Sequence, residues 1–89
     1  MRTNEGFVLR KVYGKALLMP VKRNEVGDDP IALNEVAAQI WELAFEKYSV
    51  DEIIGNVNQL YGLKKGSVEE TAVRQFIAEM ENMGLIFRD

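Results

Sequence analysis

The stretch Pro30-Ile-Ala-Leu-Asn-Glu-Val-Ala-Ala-Gln-Ile-Trp-Glu-Leu-Ala-Phe-Glu-Lys47 decides the fold, because within it a short apolar run meets an asparagine and turns at once into a helix. Ile31, Ala32 and Leu33 form the extended run. Asn34 is a good N-cap, since its side-chain oxygen can accept a free backbone N–H of the first turn. Glu35 follows where the helix dipole favours negative charge. Val36, Ala37, Ile40, Trp41, Ala44 and Tyr48 then recur at spacings of three and four, the stripe of a buried central helix. A strand is thus joined to the core helix with no loop between them.

Upstream of this junction the sequence reads as β. Phe7 to Tyr13 and Ala16 to Val21 are rich in β-branched, aromatic and long apolar residues, and they flank Gly14-Lys15, which predicts a two-residue hairpin. Pro20 cannot donate to a ladder and belongs near the end of the second strand or on an edge. The polar segment Lys22 to Asp29 reads as a turn leading to a short third strand, Pro30 to Leu33. A meander of this kind leaves an edge that is either protected or used.

Downstream the sequence reads as α. Ser49 and Glu52 have capping-box spacing, with Tyr48 and Ile53 placed as a hydrophobic staple, so the chain breaks at Ser49 and starts a second helix. Its stripe is Ile53, Ile54, Val57, Leu60 and Tyr61, and Gly62 supplies a left-handed stop. Ser67 and Glu70 repeat the capping signature for a third helix striped by Ala72, Val73, Phe76, Ile77, Met80 and Met83. Gly84 fits a Schellman-type end that returns Leu85 to Met80. Leu85 to Phe87 should dock on the core, and Arg88 and Asp89 should fray. The fold class expected is α+β, a three-stranded antiparallel meander followed by three helices, shaped like a small winged helix-turn-helix.

Composition narrows the function. The 89 residues are 47% apolar and 28% charged, which suits one domain over residues 1–89. There is no cysteine and no histidine, so the usual nucleophile and base pairs and the commonest zinc ligands are missing. Enzymatic activity, a metal site and a cofactor are not expected. The chain shows no signal-peptide h-region and no membrane-length apolar run, and the absence of cysteine fits a reducing cytoplasm. A net charge of −3 gives no global attraction to nucleic acid or anionic lipid.

The order of Leu17 to Pro20 (LLMP), Leu33 to Leu43 (LNEVAAQIWEL), Ser49 to Ile54 (SVDEII) and Phe76 to Ile86 (FIAEMENMGLI) resembles the pyrroloquinoline quinone biosynthesis protein D family, the discrete form of the RiPP recognition element. The resemblance runs from about Phe7 to Phe87. It implies a peptide chaperone without catalytic activity, which binds the leader of a ribosomally made precursor peptide as an extra antiparallel strand on the third strand and against the third helix. It also implies delivery to a modifying enzyme, often a radical S-adenosylmethionine enzyme. Carried onto this chain, the edge is Pro30, Ile31, Ala32 and Leu33, with Asp29 leading in, and the facing helix presents Val73, Ile77 and Met80 flanked by Arg74 and Glu81. Val73, Ile77 and Met80 fit plain core packing equally well. Ile31 and Leu33 share one face, with Ala32 on the other, so backbone atoms should carry much of the contact.

Two other readings compete. A winged helix suggests a DNA-binding regulator, but the third helix carries Glu69, Glu70, Glu79 and Glu81 against Arg74 alone, a balance that repels phosphates. A purely structural module that packs on an enzyme without touching peptide is the other. The basic residues Arg10, Lys11, Lys15, Lys22 and Arg23 gather on the meander, either as solvated surface or facing acidic groups of a partner. Oligomeric state is left open by the sequence, since an open strand edge can pair with a second copy.

Overall fold

A computed structural model of the chain describes residues 1–21 and 29–88. The turn expected over Lys22 to Asp29 falls outside them but for Asp29, as do the basic residues Lys22 and Arg23 and the terminal Asp89. In chain order the elements are β1 (Arg2–Thr3), β2 (Phe7–Val12), β3 (Lys15–Pro20), β4 (Ile31–Leu33), α1 (Glu35–Phe45), α2 (Val50–Tyr61), α3 (Val68–Asn82) and β5 (Ile86–Phe87). The expected meander of three antiparallel strands is β2-β3-β4, and three helices follow it.

β3 lies in the middle, with Leu18 opposite both Leu9 of β2 and Ile31 of β4. Side chains alternate across a strand, so Phe7, Leu9, Leu18, Ile31 and Leu33 share the face that α1 covers. Leu18 there is fully buried. The hairpin turn is Tyr13-Gly14 rather than Gly14-Lys15, because Val12 pairs with Lys15. Both turn residues have positive φ, 50° and 76°, as a type I′ turn requires. Tyr13 tolerates this strain at a fully exposed tip while Gly14 takes the second position freely.

The helices start where their caps predict. Asn34 Oδ1 accepts from Ala37 N–H at 2.8 Å, and the Ser49/Glu52 box is complete, with bonds of 3.2 and 3.0 Å in the two directions. Gly62 closes α2 in the left-handed conformation. Ile40, Trp41, Ala44, Ile53, Val57, Val73, Ile77 and Met80 join in one core with Leu18 and Phe7. Each large aliphatic side chain buried there contributes about 1.5–3 kcal/mol. Two stripes are shorter than their periodicity suggests. Leu60 and Tyr61 at the end of α2 and Met83 at the cap of α3 are exposed, lying beyond the small core, and Ala72 is exposed because it falls off the buried face that Glu70, Val73 and Ile77 define.

The chain's two ends depart from the expectation that everything after the junction is helical. Ile86 and Phe87 pair with Thr3 and Arg2 in a second, two-stranded sheet. Asn4 ties it down, its N–H donating to Leu85 O at 2.8 Å and its side-chain amide to Gly84 O at 2.9 Å. The Arg2 guanidinium lies 4.6 Å from the Phe87 ring centre, within cation–π range. Arg88 does not fray, for its Nε donates to both oxygens of Glu81 at 2.9 Å. Strands of two residues are too short to show a period of two, which is why sequence patterning misses them.

The capping box expected at Ser67 and Glu70 is half made. Ser67 Oγ accepts from Glu70 N–H at 3.2 Å, but the Glu70 carboxylate turns inward, accepting from Asn58 Nδ2 at 2.9 Å and Gly66 N–H at 3.0 Å. Among the described residues it is the one buried charged side chain, and it bolts the start of α3 to α2. The Asn58 and Gly66 donors hold its carboxyl below the usual value of 4.5. A lowered carboxylate pKa stabilises the fold above the unfolded value and loses that contribution as pH falls through the folded one. Glu70→Gln should therefore lower the melting temperature at pH 7, and the gap from wild type should narrow in thermal melts taken below pH 4.5.

Candidate peptide-binding edge

In an antiparallel ladder, pairs that exchange both backbone bonds alternate with pairs that exchange none. The phase is set at the open end of the hairpin, where Val21 N–H donates to Gly6 O at 2.8 Å. Counting along the register, Val8, Arg10 and Val12 bond to Met19, Leu17 and Lys15. Ala16 and Leu18 of β3 therefore turn the other way and bond to Leu33 and Ile31 of β4. Within β4 this leaves Ala32 with its N–H and C=O directed away from the sheet.

No further strand covers that side of β4 among the described residues. Of the flanking groups on that side, Pro30 has no N–H and Asn34 O accepts from Ala38 N–H at 2.9 Å. Asp29, Pro30 and Ala32 are exposed, while Ile31 and Leu33 are half-buried with their side chains toward the core. The edge expected from sequence is thus an exposed backbone with one open donor and acceptor pair, and the side-chain alternation expected for it is the one observed.

Beside this edge lies a cleft of about 600 Å³ lined by Ala32 and Leu33, by Ala38 and Gln39 of α1, and by Lys15 and Tyr61. The small side chains of Ala16 and Ala38 keep it open, since larger ones would close the gap between sheet and helix. Sequence reading assigned Tyr61 to a core stripe and gave Ala38 and Gln39 no role. The alanine at position 38 was the one sequence signal of a gap there, and a weak one, since Ala37 and Ala44 are small buried residues of the same helix.

The residues expected from α3 are placed differently. Val73, Ile77 and Met80 are 4%, 0% and 4% exposed and belong to the core. Arg74 is exposed, with its Nε 3.9 Å from Glu70, and Glu81 is engaged by Arg88. The main packing neighbours of α3 are α1, α2 and β5. The structure therefore brings Asp29 to Leu33 together on one edge, and on α3 it places Val73, Ile77 and Met80 in the core with Arg74 at the surface. Among the described residues no cluster of carboxylates could hold a metal ion, and no helix is long and apolar enough to cross a membrane.

The profile of the family described as Coenzyme PQQ synthesis protein D (PqqD) matches residues 16–86. This chain belongs to the PqqD family. The matched span includes the whole candidate edge and all of α3. Comparison with curated proteins gives no match. Among solved structures, the chain is similar to one described as "TbiB1 in Complex with the TbiA(beta) Leader Peptide", with a TM-score of 0.75 and 22% identity over 100% of both chains. At that identity the likeness is one of fold.

The ladder phase has a direct readout. In hydrogen exchange, the Ala32 amide should exchange much faster than those of Ile31 and Leu33 on either side of it, which are bonded to β3. Equal protection across all three would show that the edge is covered.

Proposed function

We propose that this PqqD-family protein binds the leader segment of a ribosomally made precursor peptide and presents it to a modifying enzyme, without catalysing the modification itself. The leader adds to β4 as an antiparallel strand, exchanging backbone bonds with Ala32. Asp29 to Leu33 line the contact directly. Val73, Ile77 and Met80 act from inside by fixing the position of α3, while Arg74 and Glu81 supply charge at its surface. The carrying observation is the open Ala32 pair on an exposed edge, in a PqqD-family chain whose fold is shared with a protein described in complex with a leader peptide.

Strand addition gives affinity through the main chain and selectivity through side chains in adjoining pockets. A three-residue strand offers little of the first, so the cleft beside Ala32 and Leu33 carries much of the second. The whole chain, residues 1–89, serves as one recognition domain, working in the cytoplasm where ribosomal precursors are made. Radical S-adenosylmethionine enzymes are the class of partner to test first. The nucleic-acid reading is disfavoured, because Glu69 and Glu79 lie on the exposed surface of α3 with Arg74 as its single base. The purely structural reading makes no use of the open edge.

Ala32→Pro separates the readings, because it deletes the outward donor while leaving both bonded pairs with β3, Ile31 with Leu18 and Leu33 with Ala16, in place. Titrating the leader of a precursor encoded beside this gene should shift amide resonances around Ala32, and the variant should bind about tenfold more weakly at an unchanged melting temperature. Undiminished affinity in a folded variant would overturn strand addition at β4.

A further inference from the structure

The meander has a second face. Val8 of β2, Leu17 and Met19 of β3 and Ala32 of β4 point away from α1, since side chains alternate and their neighbours Leu9, Leu18 and Ile31 pack toward the core. The outer face of an antiparallel sheet is ordinarily polar where it meets water. Here Val8, Leu17 and Met19 form a half-buried apolar centre, and the helix packed against the sheet, α1, lies on the other side. Arg10 stands in one row with Leu17 and Ala32, and Lys15, which also borders the cleft, closes the hairpin end. Lys11 has the opposite parity and meets Glu42 of α1 at 3.5 Å, whereas neither Arg10 nor Lys15 has an ion pair among the described residues. No strand residue on this face is acidic, although the chain carries a net charge of −3.

We propose that this outer face docks the modifying enzyme, through a surface of that enzyme whose apolar centre is rimmed by carboxylates, and that a bound leader forms part of what the enzyme touches. The inference rests on the leader-binding reading above. An apolar centre with unpaired cations beside it and no carboxylate among its strand residues is complementary to such a surface. Continuity with the leader edge decides which partner it serves.

A strand added to β4 sets the residue that exchanges bonds with Ala32 on the same face as Ala32, about 4.8 Å beyond it. The row across the sheet then runs leader, Ala32, Leu17, Arg10. An enzyme lying over this row touches the leader and the chain together. It therefore binds the occupied chain more tightly than the empty one, and by linkage the leader is held more tightly in its presence. An anionic membrane would also accept cations beside an apolar centre, but its binding would not register the leader.

Calorimetric titration of the modifying enzyme encoded beside this gene into the chain, with and without the leader, tests this. The leader should raise affinity for the enzyme about fivefold or more. Arg10→Glu, at an exposed position, should weaken enzyme binding about tenfold and reduce its salt dependence, and Val8→Asn should weaken it comparably. Both variants should keep wild-type leader affinity, which also shows that they fold, because β2 lies two strands from the leader edge. Ala32→Pro should remove the leader's effect and spare leader-free enzyme binding. Enzyme affinity unchanged in Arg10→Glu and Val8→Asn, or equal with and without leader, would overturn the proposal and leave leader binding standing. A wild-type chain that does not bind the enzyme, or that binds vesicles of anionic phospholipid in its place, would overturn it too. A wild-type chain that does not bind the leader would strike the underlying reading itself, and this one with it.

Discussion

The alternation of backbone bonds across β3 is the constraint on which the rest depends. Once Val12 pairs with Lys15 through a turn of two residues, every later group on β3 has a fixed direction. Leu18 and Ala16 must bond to β4, so Ala32 must face outward. The hairpin at one end of the sheet thereby dictates which amide is offered at the other. Side-chain direction follows from the same count, since Ile31 and Leu33 cannot reach the core unless Ala32 points away from it.

The junction at Asn34 makes this edge rigid. With α1 beginning at Glu35, β4 has no slack, and burial of Ile40, Trp41 and Ala44 anchors the helix under the sheet. An edge strand held in place loses little conformational freedom when a partner adds to it, and this lowers the entropic cost of binding. Its shortness also protects it, because three residues and a preceding proline offer too small a template for uncontrolled pairing. Glu70 plays a comparable part at the far side of the helical layer. Its carboxylate satisfies donors from both α2 and the loop before α3, so the buried charge is bonded rather than stranded.

Much of this was legible from residues alone. Asn34, Ser49, Gly62 and Gly84 mark helix ends through local chemistry, and local chemistry survives folding because its partners lie within a few residues. The antiparallel meander and the edge at Asp29 to Leu33 were legible for a related reason, as apolar alternation and turn residues carry their own signal. The α3 residues were not separable into groove and core, since Val73, Ile77 and Met80 have the same spacing in either role. The strands at Arg2–Thr3 and Ile86–Phe87 were invisible, being two residues long and dependent on each other across the full length of the chain.

The sequence by itself determined the order of elements, their caps, the absence of histidine and cysteine chemistry, and the family resemblance, all of which are properties of neighbouring residues or of composition. Only the tertiary structure decided that the turn falls on Tyr13-Gly14, that Glu70 turns inward to α2, that the ends close into a second sheet, and that Ala32 alone in β4 keeps an unspent pair of backbone groups. Those outcomes rest on which distant segments lie side by side, and a hydrogen bond or a buried contact between them has no local signature until the chain has folded.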